Sequence, residues 1–161
     1  MLKMEVKITR IKEQDQEKAY QFCQSIFTEL KWDKRFAYGL ENLKQSFGGS
    51  GEIFLVMKKE DKIIGCAGLK RLSDKEALLK RFYIAKGFRR KGLGSLMIEK
   101  IKEFAKKQGY KVIFLDVHHK NEGGQKFYEQ HGFLVCEPSV YENWPESGHP
   151  ELFEFRKLVL E

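Results

Sequence analysis

A strand–helix–strand unit in the middle of the chain restricts the possible folds more than any other feature. Its apolar patterns predict a strand at residues 77–84, a helix at 92–107 and a second strand at 112–117. A crossover helix of this length joins two parallel strands, and such connections are right-handed. The sequence therefore predicts an α/β fold whose sheet contains a parallel pair of strands.

The segments on either side of this unit predict further strands and helices. Polar residues 59–62 separate two apolar stretches in the manner of a hairpin turn, which indicates antiparallel pairing. We therefore expect a mixed, mostly antiparallel and twisted sheet of six to seven strands, with about four helices on its two faces. The length of 161 residues predicts a single domain, 1–161. The other predicted strands cover residues 4–11, 52–58, 63–71, 133–136 and 152–159, and the other helices cover 14–30, 36–47 and 122–131.

Positive charge is concentrated in one part of the chain. The net charge is +7, and residues 80–111 alone carry eleven lysines or arginines against two glutamates. A local basic field favours an anionic ligand, such as a phosphate-bearing cofactor, a nucleic acid or an acidic membrane surface. No apolar run approaches the ~20 residues that span a bilayer, so we expect no membrane partner.

The cysteines do not indicate metal or disulfide chemistry. Cys23, Cys66 and Cys136 are widely spaced, odd in number and include no C-x-x-C pair. This pattern disfavours a zinc site and a disulfide framework, so we expect no metal. Reduced thiols are typical of cytoplasmic proteins, and we therefore expect a cytoplasmic location.

The turn between the first strand and the helix of the central unit combines glycines with basic residues. Arg89, Arg90 and Lys91 precede Gly92 and Gly94 at the predicted start of the helix. Free amides at a helix start bind anions, and glycine lets a phosphate approach the backbone closely. Neither the P-loop pattern nor the dinucleotide fingerprint occurs here. The turn therefore predicts a diphosphate site of another kind.

Two blocks of the sequence match the patterns of one known family in register. Residues 89–94, Arg-Arg-Lys-Gly-Leu-Gly, fit the turn [R/Q]-x-x-G-x-[G/A], and residues 80–84 resemble the strand that precedes it. Residues 115–133 contain Leu-x-Val, then Asn, then Phe-Tyr-Glu before Gly-Phe. From about residue 53 to residue 136 the chain thus resembles the GNAT superfamily of acyl-CoA-dependent N-acetyltransferases.

The resemblance implies a GNAT-like fold, acetyl-CoA as co-substrate, and direct attack by a primary amine on the acetyl group. It makes Tyr128 the acid that protonates the CoA thiolate, since a tyrosine with a pKa of ~10 is protonated at neutral pH. It pairs the backbone of Phe82, Tyr83 and Ile84 with the pantetheine arm. Asn121 either fixes the pantetheine or caps its helix. The implied diphosphate site consists of Arg89, Arg90, Lys91, Gly92, Leu93, Gly94 and Ser95.

Two residues depart from the family pattern, and one departure leaves the general base open. Gly124 stands where the family usually has alanine, inside a predicted helix that glycine weakens. Leu78 stands where some members carry a glutamate base. The remaining candidates for the base are His118, His119, Glu76, Glu52 and a chain of water molecules.

The amine acceptor also stays open at this stage. A small amine, an amino acid, an aminoglycoside and a protein N-terminus or lysine all fit the resemblance. Two other functions remain possible, a catalytically silent acyl-CoA sensor and a basic nucleic-acid-binding module. No recognised nucleic-acid-binding motif occurs, so we expect no nucleic acid partner, and we expect a monomer or a homodimer. Candidate acceptor contacts are Trp32, Asp33, Phe36, Tyr38, Glu41, Tyr141, Glu142, Trp144 and Glu146.

Overall fold

A computed structural model describes residues 5–161, and the strands in this range form one seven-stranded sheet. The strands are Lys7–Arg10 (β1), Ile53–Lys59 (β2), Lys62–Arg71 (β3), Glu76–Ile84 (β4), Val112–His118 (β5), Leu134–Val135 (β6) and Phe153–Val159 (β7). Their order in the sheet is β1-β2-β3-β4-β5-β7-β6. All neighbours are antiparallel except β4 and β5, which are parallel. The predicted mixed sheet with one parallel unit is confirmed.

Helices cover both faces of the sheet, as predicted. The α-helices of the described range are Gln16–Leu30 (α1), Leu43–Ser46 (α2), Leu93–Gln108 (α3) and Glu122–Gln130 (α4). The first two share a buried cluster with Phe54 and Cys66, and the last two share another with Leu69 and Ile113. Among residues 5–161, none of the helices combines the length and the hydropathy that a membrane span needs.

The predicted helix at residues 36–47 is wrong. Phe36, Leu40, Leu43 and Phe47 have helical spacing and are all buried. Gly39 lies between them in the left-handed region, with φ 75°. A helix cannot continue through that conformation, so the segment folds as two 3₁₀ turns and the single short turn of α2.

Two predicted strands are longer than the observed ones. The strand predicted at residues 4–11 is observed at Lys7–Arg10, and residue 4 lies outside the described residues. The strand predicted at residues 133–136 is reduced to Leu134–Val135. The carbonyl of Phe133 accepts a hydrogen bond from the Arg156 side chain at 2.8 Å, which takes the place of a backbone partner on β7.

The parallel contact between β4 and β5 is short, and a cleft opens where it ends. Pairing covers three residue pairs and stops at Leu78 and Phe114. Beyond that point β4 stays paired with β3 as far as Ile84, whereas β5 stays paired with β7 as far as His118. The second halves of the two parallel strands therefore diverge in the middle of the sheet.

A β-bulge at Arg81 shapes the β4 side of the cleft. Cys66 is opposite Tyr83 and Gly68 is opposite Lys80, so β4 has one residue more than β3 in this stretch. Arg81 takes the extra position with φ 56°, in the left-handed region. Bulges change the direction of the side chains around them. The bulge thus sets the orientation of residues 80–83 along the cleft.

Candidate functional site

The cleft between β4 and β5 encloses a cavity of about 550 Å³. Its walls come from the second halves of both strands, the end of α1, the start of α4 and the loop before β7. Eleven of the twenty lining residues are apolar or aromatic, and nine are polar or charged. Apolar walls with converging polar groups are typical of a ligand site. The lining residues whose polar atoms matter most for chemistry are Lys80, Asp116, His118, Asn121, Tyr128 and Glu146.

Tyr128 on α4 is one of the residues that line this cavity. Its ring packs against Phe82 and Phe133, with centroids 6.0 and 5.8 Å away. Every fully buried side-chain nitrogen or oxygen in the described residues has a hydrogen-bond partner. The Tyr128 hydroxyl makes no such bond there, so it retains accessible surface, and it lines the cavity. Burial and the charge of Asp116 raise the pKa of Tyr128, which keeps the hydroxyl protonated at neutral pH.

The glycine turn leaves several amides free at the start of α3. The helical ladder begins with the amide of Leu96, which donates to the carbonyl of Gly92 at 3.2 Å. The amides of residues 93–95 precede that bond and therefore have no partner within the helix. They lie at the positive end of a 16-residue helix. Gly92 has φ 82°, and a Cβ built on it meets nothing within 4 Å, so this side of the turn is open.

The basic residues of the turn are not equivalent. Arg90 and Lys91 are exposed. Arg89 is half-buried, and its guanidinium donates to both carboxylate oxygens of Glu29 at 2.7 and 3.0 Å. Its Nε donates to the carbonyl of Ile84 at 2.8 Å. In this structure Arg89 ties the turn to α1, whereas Arg90 and Lys91 remain available to an anion.

Other predicted cofactor residues contribute through the backbone or through packing. The side chain of Leu93 is buried in the core, so only its amide can face a ligand. The hydroxyl of Ser95 lies 3.1 Å from Nε2 of His131. A Cβ on Gly94 would lie 2.9 Å from Cε1 of Phe127, so the close packing of α3 on α4 requires glycine there.

The β4 residues predicted to meet pantetheine do not all face the cleft. Phe82 and Tyr83 line the cavity. Ile84 is not among the lining residues, and it pairs with Gly65 of β3. Its carbonyl is already engaged by Arg89. The structure thus brings two of the three residues to the cavity.

Asn121 is both a helix cap and a cavity residue. Its Oδ1 accepts a hydrogen bond from the amide of Gly124 at 3.0 Å, which caps α4. It also lines the cleft. A Cβ on Gly124 would lie 2.6 Å from Nδ2 of Asn121, so an alanine at this position would require the Asn121 side chain to shift.

Of the two candidate histidines, one reaches the cavity. His118 lines it, and Nδ1 of His118 accepts from the amide of Lys120 at 3.1 Å. Burial and the charge of Lys120 lower the pKa of His118. Nε2 of His119 lies 2.8 Å from the carbonyl of Pro150, and His119 does not line the cavity.

The two candidate glutamates lie outside the cavity and have structural partners. Glu76 accepts a hydrogen bond from the hydroxyl of Tyr141 at 2.9 Å. Glu52 accepts from the amides of Gly49 and Arg71, both at 3.0 Å. Neither glutamate is among the lining residues. Their hydrogen bonds indicate that the two glutamates anchor neighbouring loops and do not contact a substrate.

A buried charged cluster, formed by Lys80, Asp116 and Glu146, lies on the floor of the cleft. Nζ of Lys80 is 2.5 Å from Oε2 of Glu146 and 3.5 Å from Oδ2 of Asp116. Tyr38 donates to Oε1 of Glu146 at 2.7 Å, and Nε1 of Trp144 donates to Oδ2 of Asp116 at 2.8 Å. Sequence reasoning did not predict this cluster, although charged residues within buried strands at positions 80 and 116 could have indicated it.

The candidate acceptor contacts divide into two groups. Trp32, Asp33, Phe36 and Glu146 line the cavity. Trp32 packs against Tyr83 with ring centroids 5.6 Å apart, which forms an aromatic wall. The remaining candidates are not lining residues, and they are Tyr38, Glu41, Tyr141, Glu142 and Trp144.

Three features agree with the GNAT-like fold that the two sequence blocks predict. They are the sheet that splits between β4 and β5, the cleft at this split and the glycine turn at the start of α3. The chain belongs to the GNAT acetyltransferases, because the model described as "Acetyltransferase (GNAT) family" matches residues 15–133. In the described residues, no three histidine, cysteine or acidic side chains come together as metal ligands would.

Comparison with individual proteins agrees with this assignment. The uncharacterized N-acetyltransferase YsnE of Bacillus subtilis is 32% identical over 104 residues, which cover 63% of this chain and 66% of that protein. The chain spans about half to two thirds of the length of the curated relatives it matches.

Solved structures show the same fold. An acetyltransferase of the GNAT family from Staphylococcus aureus superposes with a TM-score of 0.86 and 24% identity, covering 98% of this chain and 100% of that one. The PaiA N-acetyltransferase of Thermoplasma acidophilum, solved in complex with coenzyme A, gives a TM-score of 0.74 and 20% identity. Those matched regions cover 97% of this chain and 99% of that one.

Proposed function

We propose that this protein is an acetyl-CoA-dependent N-acetyltransferase that transfers the acetyl group to a primary amine by direct attack. The observation that supports the proposal is the position of Tyr128, which lines the cavity opened between β4 and β5 and has no hydrogen-bond partner for its hydroxyl in the described residues. Family membership supports the reaction class, and the acceptor amine is left to experiment.

The diphosphate of the co-substrate binds at the glycine turn in this proposal. The free amides of residues 93–95, the exposed charges of Arg90 and Lys91, and the open side of Gly92 fit a diphosphate. Because Glu29 holds the Arg89 side chain, we assign to Arg89 the role of fixing the turn. Arg90 and Lys91 would then neutralise the charge of the phosphates.

The pantetheine arm of the co-substrate lies between β4 and β5. Phe82 and Tyr83 line the cavity at a stretch where β4 has no partner strand on the β5 side, which leaves backbone groups of β4 without a strand partner there. An extended arm with amide groups can pair with such an open strand edge. Asn121, with Oδ1 engaged in the helix cap, offers Nδ2 as a donor from the opposite wall.

Tyr128 acts as the acid in the collapse of the tetrahedral intermediate. Its raised pKa leaves the proton on the hydroxyl until the thiolate departs. A backbone amide of the bulged part of β4 stabilises the oxyanion. The acceptor enters past the aromatic wall of Trp32 and Tyr83, which favours amines with an apolar neighbouring group.

Two measurements on the whole protein test this proposal. Calorimetry with coenzyme A should give a saturable binding heat that weakens in the variant Arg90→Ala/Lys91→Ala. Thiol release from acetyl-CoA should occur with at least one amine among a polyamine, an α-amino acid, an aminoglycoside and a peptide with a free N-terminus. Absence of binding heat would contradict the proposal. Binding without thiol release from any amine would instead support an acyl-CoA sensor.

A further inference from the structure

The position that supplies a glutamate base in some relatives is apolar in this protein. Leu78 is fully buried and belongs to a core cluster with Phe114 and Trp144. An ammonium acceptor has no lone pair, so it must lose a proton before it can attack the thioester. Another side chain at the cleft or a water molecule must therefore take that proton, and this inference rests on the proposed N-acetyltransferase function.

Asp116 presents one carboxylate oxygen to the cavity. Its Oδ2 accepts the indole hydrogen bond of Trp144 and lies 3.5 Å from Nζ of Lys80. Its Oδ1 has no hydrogen-bond partner among residues 5–161. Because each fully buried side-chain oxygen in this range has a partner, Oδ1 must retain accessible surface. Asp116 lines the cavity and 13% of its side-chain surface is exposed, which fits an Oδ1 that is open to the cavity.

Glu146 is the counterion of Lys80, which leaves Asp116 free for another task. Both oxygens of Glu146 are engaged, one by Lys80 at 2.5 Å and the other by Tyr38 at 2.7 Å. Burial would raise the pKa of Glu146, but these partners lower it and keep the group ionised. Burial and the charge of Glu146 raise the pKa of Asp116, against the opposing effect of Lys80.

We propose that Asp116 is the catalytic proton acceptor, with Oδ1 taking a proton from the ammonium of the acceptor. The neutral amine then attacks the thioester carbonyl and forms the carbon–nitrogen bond. Tyr128 gives its proton to sulfur as the carbon–sulfur bond breaks, and the second proton lost by the amine replaces it. The proton on Asp116 passes to solvent, so each turnover releases one proton.

The charged and titratable groups around Asp116 come from several elements of the fold. Lys80 and Arg81 belong to β4, Glu146 to the 3₁₀ turn Pro145–Gly148, and Tyr38 to the loop after α1. The residue opposite Asp116 on β7 is the uncharged Phe155. Tyr128 of α4 lines the same cavity as Asp116, and the charge of Asp116 contributes to the raised pKa of Tyr128.

His118 is the competing base, and its geometry is less suitable. Nδ1 of His118 already accepts from the Lys120 amide, so this nitrogen is not free to take a proton. Asp116, by contrast, is held on Oδ2 and open on Oδ1. An anchored carboxylate with one free oxygen meets the positional requirement for a general base.

The titration of Asp116 can be followed without any turnover. The indole N–H of Trp144 donates to Asp116, so its proton–nitrogen NMR signal reports the charge of the carboxylate. We expect this signal to titrate with a midpoint above the ordinary value of an aspartate, and to stop doing so in Asp116→Asn. The variant Trp32→Phe assigns the two indole signals. A midpoint at or below the ordinary value would overturn the proposal.

Kinetic measurements then test whether the carboxylate that titrates also takes part in the reaction. Asp116→Asn should lower kcat by about 10²- to 10⁴-fold and leave the Kd of acetyl-CoA unchanged, the size expected for a lost general base. The acid limb of the kcat/KM profile should disappear with it. Asp61→Asn, the same change on the exposed turn between β2 and β3, is the matched control and should behave as the wild type.

The outcomes separate this inference from the proposed function. Wild-type turnover that survives Asp116→Asn within twofold, but falls in His118→Gln, would transfer the role to His118 and overturn the assignment. If the wild type releases no thiol with any amine, the proposed function fails, and the Trp144 titration alone decides whether Asp116 is a proton acceptor.

Discussion

The guanidinium of Arg89 and the carboxylate of Glu29 form a bidentate ion pair between the glycine turn and the end of α1. The two donor–acceptor distances are 2.7 and 3.0 Å. The residues are sixty positions apart in the sequence. The first basic residue of the turn thus has a structural partner, and this pair holds the glycine turn, the proposed diphosphate site, against the helix whose end lines the cleft.

This pair predicts a measurable coupling in a double-mutant cycle. Glu29→Gln and Arg89→Gln should each lower the free energy of unfolding, and the double variant should lower it by less than their sum. Because both side chains are partly exposed, we expect a coupling of only about 0.5–1 kcal/mol. Urea unfolding of the four proteins measures it. Strictly additive effects would show that the two groups do not interact in solution.

Gly94 and Gly123 occupy equivalent positions in their helices, but replacement by alanine should change the free energy of unfolding in opposite directions. A Cβ at Gly94 would lie 2.9 Å from Phe127, whose ring is confined by His131 and Phe82 at centroid distances of 4.4 and 5.4 Å. Gly94→Ala should therefore cost about 1–3 kcal/mol. A Cβ at Gly123 meets nothing within 4 Å, so Gly123→Ala should gain about 0.5–1 kcal/mol.

The matched comparison between these variants is thermal or urea unfolding under identical conditions. Because each glycine is the second residue of its helix, backbone effects are closely similar in the two variants. A stabilised Gly94→Ala protein would mean that the contact between α3 and α4 is looser than described.

Removal of the Tyr128 hydroxyl should separate catalysis from binding. We expect Tyr128→Phe to reduce kcat by about 10²-fold, because the thiolate loses its proton donor, while the Kd of acetyl-CoA stays the same. The rate of thiol release gives kcat, and calorimetry gives the Kd of acetyl-CoA. Tyr110→Phe is the control, since that hydroxyl donates to the Gly51 carbonyl outside the cleft. Equal turnover in wild type and Tyr128→Phe would remove Tyr128 from the mechanism.

The pair of Asp15 and Lys58 predicts a pH-dependent part of the stability. Burial would raise the pKa of Asp15, but hydrogen bonds from Lys58 at 2.5 Å and from the Lys12 amide at 2.9 Å lower it. Because the folded-state pKa lies below the unfolded value, this stabilisation is complete above the unfolded pKa. It is lost as the pH falls through the folded pKa.

Asp15→Asn should therefore destabilise the protein at neutral pH by about 1.5–3 kcal/mol, the range for a hydrogen bond to a charged group. The difference from wild type should shrink as the pH is lowered toward the folded-state pKa. Urea unfolding along a pH series measures it, with Asp61→Asn as the exposed control. A difference that is constant with pH would contradict the assigned ionisation of Asp15.

Local patterns were sufficient to predict much of this structure. The apolar stripe of α3, the glycine at its start and the short apolar strand after it are signals within 40 residues of one another, and all were predicted correctly. The helix predicted at residues 36–47 failed because the apolar spacing was helical while Gly39 adopts a left-handed conformation. The φ angle of Gly39 therefore decides the structure of this segment, despite the helical spacing of four apolar side chains.

Contacts between distant residues were beyond prediction from one sequence. Lys80 and Glu146 are 66 positions apart, and Trp144 reaches Asp116 across 28. Nothing in local spacing indicates which of several acids meets a buried lysine. A sequence motif predicts Tyr128 as a site residue, but the charged cluster that lines the same cavity depends on how two strands diverge.

That divergence also has a mechanical consequence. Among the described residues, strand pairing joins β1–β4 to the half of the sheet formed by β5, β7 and β6 through only three residue pairs. Amide hydrogens along the open edges should exchange faster than those of the outer ladders. A ligand that bridges the gap acts as a missing strand, and a concentration of 100 times its Kd raises the free energy of unfolding by about 2.7 kcal/mol. Ligand binding in the gap and the stability of the contact between the two halves of the sheet are therefore thermodynamically linked.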